Sequence, residues 1–282
     1  MKHATPSLDF RLPLAIGGLS LAVACDDPPL AERLREAAES YAPWLWPGPA
    51  RCQVTVQFFH DDQAAAGRPG AWATPQASFA RDGTCWLRAP GVTGCIAADV
   101  RSARLQLAGL EAASPAVDYF LRAVLALLAD RAGGFLLHSA GLLRRGRAVV
   151  LSGQSGAGKS TAVRVSAGLP DTAALGDDLI LLLPDGDGWR AYGTPFWNPE
   201  TPAAWRGAQT ESGQLAAILP LAQDRAVFAQ PLAAAAAVAG LLSALPIAPL
   251  DANRVPALLA RLARLAASAP VAELHLRPDP SF

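Results

Sequence analysis

The sequence predicts an α/β protein built in two parts, and three observations predict it. Short alternating apolar segments of strand length recur along the chain, two of them facing each other across Gly17-Gly18. Stretches with apolar residues at helical spacing lie between them, at residues 30–41 and 117–132. In the second half a glycine-rich turn follows one apolar strand and opens a helix.

The first part is residues 1–112, a small α/β unit. Residues 9–15 and 19–24 read as paired strands. Asp26-Asp27-Pro28-Pro29 then announces the helix over 30–41. Residues 52–59 alternate and read as a strand, and shorter strands follow at 84–88 and 93–97 between Gly/Pro turns. His60-Asp61-Asp62 is read as a solvated loop after a strand, in preference to a metal cluster. Nothing in this part carries recognisable chemistry.

The second part is residues 113–282. Its first helix, 117–132, joins the halves and stops at Gly133-Gly134. Residues 135–143 and 147–152 read as strands around the basic turn Arg144-Arg145-Gly146. A helix is expected over 159–167 and a buried strand over 179–183. Asp185-Gly186-Asp187-Gly188 then turns the chain back into 189–192. The last third predicts helices at 232–245 and 255–267 and a closing strand at 272–276.

Composition narrows the function classes. With 51% apolar residues the 282-residue chain can bury a real core. A net charge of +0 gives no electrostatic case for nucleic acid or an acidic membrane, and it leaves room for a homo-oligomer. The first apolar run is broken by Pro13, Gly17 and Gly18, unlike a secretory signal. The longest, 232–247, is Ala-rich and too short to span a bilayer. Cys25, Cys52, Cys85 and Cys95 make no C-x-x-C pair. Free thiols in a reducing cytoplasm are the expectation. Lys and Arg total 24, yet lysine occurs only at Lys2 and Lys159. A lysine kept where arginine is otherwise preferred suggests a chemical requirement.

That lysine lies in the most specific motif of the chain. Gly153-Gln154-Ser155-Gly156-Ala157-Gly158-Lys159-Ser160-Thr161 fits G-x-x-x-x-G-K-[ST] at every position. Glycines let the backbone turn so that successive N–H groups form an anion nest. The helix that starts there points its positive end at the phosphates. Lys159 is a compact charge for the β- and γ-phosphates, and Ser160 offers a hydroxyl to Mg²⁺. The expected ligand is ATP with Mg²⁺.

Asp177-Asp178 lies downstream of the loop, just ahead of the apolar run 179–183. A Mg·nucleotide site needs a carboxylate for the metal, and a kinase also needs a base near the acceptor hydroxyl. Two adjacent carboxylates can divide these roles. His138 sits in Phe135-Leu136-Leu137-His138-Ser139-Ala140; alone it reads either as a hydrogen-bonded core residue or as a site residue.

Leu137-His138-Ser139-Ala140, the hairpin after it, residues 153–161 and Gly176-Asp177-Asp178-Leu179 together resemble the HPr kinase/phosphorylase catalytic domain. They resemble still more closely the short HPr-kinase-related proteins of bacterial peptide-modification clusters, lasso peptide clusters among them. The resemblance covers residues 133–200 with specific motifs. It reaches the C-terminus more faintly, through Gly193-Thr194-Pro195-Phe196 and Glu273-Leu274-His275-Leu276-Arg277-Pro278-Asp279. It implies a P-loop kinase domain of the HPr-kinase type with a mixed sheet, following the small N-terminal domain. It further implies γ-phosphoryl transfer from ATP to a serine of a peptide or small protein. By position, Asp177 would be the base, His138 would orient it, and Ser160 with Asp178 would hold Mg²⁺. The segment Thr194-Pro195-Phe196-Trp197-Asn198 would border the site.

One departure bears on the acceptor. The glycine-rich segment that HPr kinases carry beyond the core is not evident, and residues 198–214, rich in Trp, Pro and Gly, stand there instead. Trp197 and Trp205 would then form an aromatic lip for a peptide, and HPr is not the expected acceptor. Two other classes remain open. One is a small-molecule kinase with an enclosed pocket lined by Trp197 and Trp205. The other is a regulatory ATPase that transfers to no acceptor.

Overall fold

The structure is a computed structural model, and it describes residues 10–45, 52–60, 73–110, 113–166, 168–198, 201 and 212–277. The chain divides into two compact units, Met1–Leu128 and Ala129–Phe282. The sequence reading sets its boundary earlier, ahead of the joining helix; in the structure the division falls inside that helix.

The first unit holds one seven-stranded sheet. β1 (Phe10–Ile16) and β2 (Leu19–Cys25) form the expected hairpin. α1 (Pro28–Ala38) follows, with the Asp27 carboxylate accepting the Leu30 N–H at 2.9 Å as its cap. A 3₁₀ turn over Glu39–Trp44 replaces the end of the expected helix, because Pro43 cannot continue it. β3 (Cys52–His60), β4 (Gln76–Phe79), β5 (Cys85–Ala89), β6 (Val92–Ile96) and β7 (Ser102–Leu107) complete the sheet in the order β1-β2-β3-β7-β6-β5-β4. β4 and β7 were not expected. Asp61 and Asp62 lie outside the described residues.

α2 (Ala113–Arg131) ends where Gly133 and Gly134 donate back to Asp130 and Ala129, a paired closure that satisfies two terminal carbonyls. The second unit then builds β8 (Phe135–His138), β9 (Ala140–Arg144), β10 (Arg147–Ser152), α3 (Lys159–Ser166), β11 (Thr172–Gly176), β12 (Leu179–Asp185) and β13 (Gly188–Tyr192). It ends in β14 (Ser212–Gln223), β15 (Phe228–Pro231), α4 (Ala234–Ser243), α5 (Val255–Ser268) and β16 (Ala272–Leu276). The sheet runs β11-β9-β10-β14-β13-β12-β8, with β16 and β15 continuing from β14. β14 is parallel to both β10 and β16, and the remaining pairings are antiparallel. The sheet is therefore mixed, as the resemblance implied.

The expected single strand over 135–143 is two strands. β8 pairs with β12, whereas β9 pairs with β10 and β11. The chain changes partners at Ser139, whose N–H donates to the Asp178 carbonyl at 3.0 Å and whose hydroxyl donates to the Leu137 carbonyl at 3.2 Å. A core beneath α3 gathers Ala162 and Val163 with Leu151, Trp197, Leu221 and Leu276. Fully burying each larger apolar side chain contributes about 1.5–3 kcal/mol, which holds the loop between β10 and α3 at both ends.

A second fixed point joins α2 to α5. Asp130 accepts Arg254 at 2.8 Å and also pairs with Arg261, while Arg254 reaches Asp251 at 3.0 Å. The four cysteines are free, as expected. Among the described residues no helix is long and apolar enough to cross a membrane.

Candidate nucleotide site

Residues 153–161 form the turn between β10 and α3, the setting that the loop's mechanism requires. Gly153, Gly156 and Gly158 take φ values of +135°, +82° and +100°, a region that side-chain-bearing residues rarely enter. At Gly153 an added Cβ would also lie 3.3 Å from the Leu221 carbonyl oxygen. The Ala162 N–H donates to the Gly158 carbonyl at 2.8 Å, so α3 begins at the loop.

Lys159 is 7% exposed. Its Nζ donates to the Gly153 and Gln154 carbonyls at 2.8 and 3.0 Å. Burial pulls its pKa below the usual lysine value, and the nearby Asp178 charge partly counters this. An anion placed here would meet a desolvated cation already folded over its own loop.

The two aspartates end up in different surroundings. Asp177 is 5% exposed and accepts the Asn198 N–H at 3.0 Å and the Thr201 hydroxyl on its other oxygen. Asp178 keeps 17% of its side chain exposed and lies 3.5 Å from His138 Nδ1. Strand register produces this: β8 pairs antiparallel with β12, so His138 stands opposite Leu179, next to Asp178. The end of α4 fixes the histidine from the other side, since its N–H donates to the Ala244 carbonyl at 2.8 Å.

The sequence reading paired His138 with Asp177, and the geometry corrects that: the histidine faces Asp178. Asp177 is instead the hydrogen-bonded carboxylate, a form that suits a metal ligand, since ligating carboxylates are themselves held by neighbours. Among the described residues no group of three or more His, Cys, Asp or Glu is arranged to hold a metal ion by itself. One or two carboxylates with a serine hydroxyl are what Mg²⁺ takes beside phosphates. Asp177, Asp178, Ser160 and Lys159 wall one cavity of about 300 Å³. The donor set fits a Mg·nucleotide.

Of the segment 194–198, Asn198 lines this cavity, while Thr194 is buried behind it and donates to the Leu179 carbonyl at 2.8 Å. The aromatic lip is corrected. Trp197 is 5% exposed and packs in the core under α3. Trp205 lies outside the described residues, and residues 212–214 already belong to β14. Sequence reasoning missed Gln223, whose side-chain amide donates to the Gly156 carbonyl at 2.9 Å and pins the tip of the loop. Its signal was positional: β14 is parallel to β10, and sites in such sheets gather beyond the strands' carboxyl ends.

No protein family and no curated protein matches this sequence. Among solved structures, one similarity is to the Hpr(Ser) kinase/phosphatase from Coxiella burnetii. It has 9% identity and a TM-score of 0.27 and covers 50% of this chain and 85% of that one. A score that low does not establish a shared fold.

Proposed function

We propose that this protein is an ATP-dependent kinase that transfers the γ-phosphoryl group to a serine hydroxyl of a peptide or small protein. One observation carries the reading: a complete phosphate-binding loop, with its lysine buried, faces two aspartates and a histidine across one small cavity. A site that only binds nucleotide has no need of the polar pair His138–Asp178 beside the loop, whereas transfer to a hydroxyl needs a group to take its proton.

Each residue has a part. The loop amides and Lys159 bind and orient the phosphates. Ser160 and Asp177 would hold Mg²⁺, which supplies charge neutralisation on the phosphates. Asn198 and Thr201 keep Asp177 turned toward that position. Asp178 takes the acceptor proton, and His138 orients it and shares the charge. The serine preference rests on the motif resemblance and is the part furthest from the geometry.

γ-Labelled ATP and a serine-containing peptide, read by mass spectrometry, test the proposal. Wild-type protein should yield phosphopeptide. Asp178→Asn should lower transfer by about 10²–10⁴ while Mg·ATP still binds. Asp177→Asn should instead raise the Mg²⁺ requirement. Phosphate release with no phosphorylated product would leave an ATPase and end the kinase reading.

A further inference from the structure

Two cavities meet at the phosphate loop. The smaller, of about 300 Å³, touches its helix end, Gly158 to Thr161, together with both aspartates. The larger, of about 830 Å³, follows its strand end, residues 152–157, and is closed by β14, α4 and Glu273. His138, Ser155 and Gly156 belong to both. Resting on the phosphotransfer reading above, we propose that the larger cavity is the acceptor cleft. We further propose that it selects neutral or cationic hydroxyl acceptors over anionic ones, with Glu273 as the selecting carboxylate.

The geometry of displacement places the acceptor there. Attacking and leaving oxygens lie roughly in line through the transferred phosphorus. Phosphates seated at the helix end put the leaving group toward Ser160 and Thr161. The attacking oxygen must then come from the strand side, where the larger cavity opens. As it bonds to the γ-phosphorus, the bond to the β–γ bridging oxygen breaks and ADP leaves with that electron pair. The hydroxyl proton passes to Asp178. His138, on the wall shared by the two cavities, stands where this proton must cross.

Charge decides the class of acceptor. Among the described residues, His138 and Glu273 are the ionisable side chains lining the larger cavity, and neither lysine nor arginine lines it. A negatively charged acceptor would meet a carboxylate and no counter-charge. Glu273 is also held in place. Its Oε1 lies 2.8 Å from His275 Nε2 and 3.2 Å from the Gln230 amide. His275 in turn lies 3.0 Å from Asp224 and stacks on Phe228 at a centroid distance of 4.1 Å. A carboxylate fixed this way on β16 reads charge at a set position. The opposite wall is α4, where a Cβ added at Gly240 would meet nothing within 4 Å.

Three peptides test the proposal, alike except that their single serine is flanked by arginine, glutamine or glutamate. They are assayed with wild-type protein, Glu273→Gln and Gly240→Phe. Transfer and peptide binding in the presence of Mg·ADP are both measured, and Mg·ATP affinity is titrated on the same samples. Wild-type kcat/KM should rank arginine, glutamine, glutamate, with roughly tenfold between the extremes. Glu273→Gln should collapse that ranking, and Gly240→Phe should abolish peptide binding, both with Mg·ATP affinity unchanged. Loss of Mg·ATP affinity in Gly240→Phe would make the cleft part of the nucleotide site and overturn the proposal. A ranking that survives Glu273→Gln would overturn it equally. Should wild-type protein phosphorylate none of the peptides, the kinase reading fails, and peptide binding alone decides the cleft. Charge-ranked binding lost in both variants upholds it; absent or indifferent binding overturns it.

Discussion

In the first unit most strands bury every second side chain, whereas in the second several carry unbroken runs of buried residues. β7 alternates without a break: Ala103, Leu105 and Leu107 are buried and Arg104 and Gln106 are exposed. In β12 the five residues Leu179, Ile180, Leu181, Leu182 and Leu183 are all buried. Alternation marks a sheet with one wet face, and a continuous apolar run marks one covered on both sides. A sheet covered on both faces leaves only its strand ends for chemistry. There the second unit holds its polar residues, His138 at the end of β8 and Asp177-Asp178 just ahead of β12. In the first unit, aspartates such as Asp27, Asp82 and Asp99 cap local turns through backbone N–H groups two or three residues on.

The sharpest way to break this comparison is through the buried charges of the second unit. Asp130→Ala removes the carboxylate shared by Arg254 and Arg261, which are 17% and 16% exposed, and leaves Arg254 with Asp251 alone of its two carboxylates. It should cost about 3–5 kcal/mol in denaturant unfolding. Adjacent-residue substitutions sharpen it next. Leu181→Ala and Leu182→Ala should each cost about 2–5 kcal/mol, since both positions are buried. In β7 the cost should alternate: Leu105→Ala in the same range, Arg104→Ala within about 0.5 kcal/mol. Equal costs at both β7 positions would contradict the one-faced reading.

Smaller effects probe the site's edges. Gln223→Ala removes the hydrogen bond that pins Gly156, worth about 0.5–1.5 kcal/mol. Mg·ATP affinity should fall by several-fold with no change in fold, read by calorimetry. Asp224 gives the smallest effect. N–H groups of Ala226 and Arg225, and then His275, hold its carboxyl below the usual carboxylate range. Its folded pKa is depressed, so its contribution is present above the unfolded value near 3.8 and lost as pH falls through the lower folded value. Asp224→Asn should slightly flatten the acid limb of the stability curve, measured from pH 5 downward.

What the sequence made legible follows the range of the forces involved. The loop at 153–161 could be read because its mechanism fixes residue types at consecutive positions. The β1–β2 and β12–β13 hairpins could be read because two-residue turns demand glycine. The partner change at Ser139 could not, since it depends on which strands flank β8 and β9, and no local residue announces it. The pairing of His138 with Asp178 comes from the same register. β14 escaped because Ser212–Gln223 contains Gly213, Pro220 and several alanines, poor strand formers that its neighbours on both sides override. Trp197 looked like a surface aromatic in a Pro/Gly-rich segment; packing against Val163, Leu221 and Leu276 put it in the core.

The central claim is that the loop between β10 and α3 binds Mg·ATP through a buried lysine. Calorimetric titration of Mg·ATP into wild-type protein and Lys159→Ala tests it most directly, with circular dichroism confirming that both are folded. The account predicts clear saturable binding by the wild type and severe loss in the variant. Equal affinity in two folded proteins would contradict it.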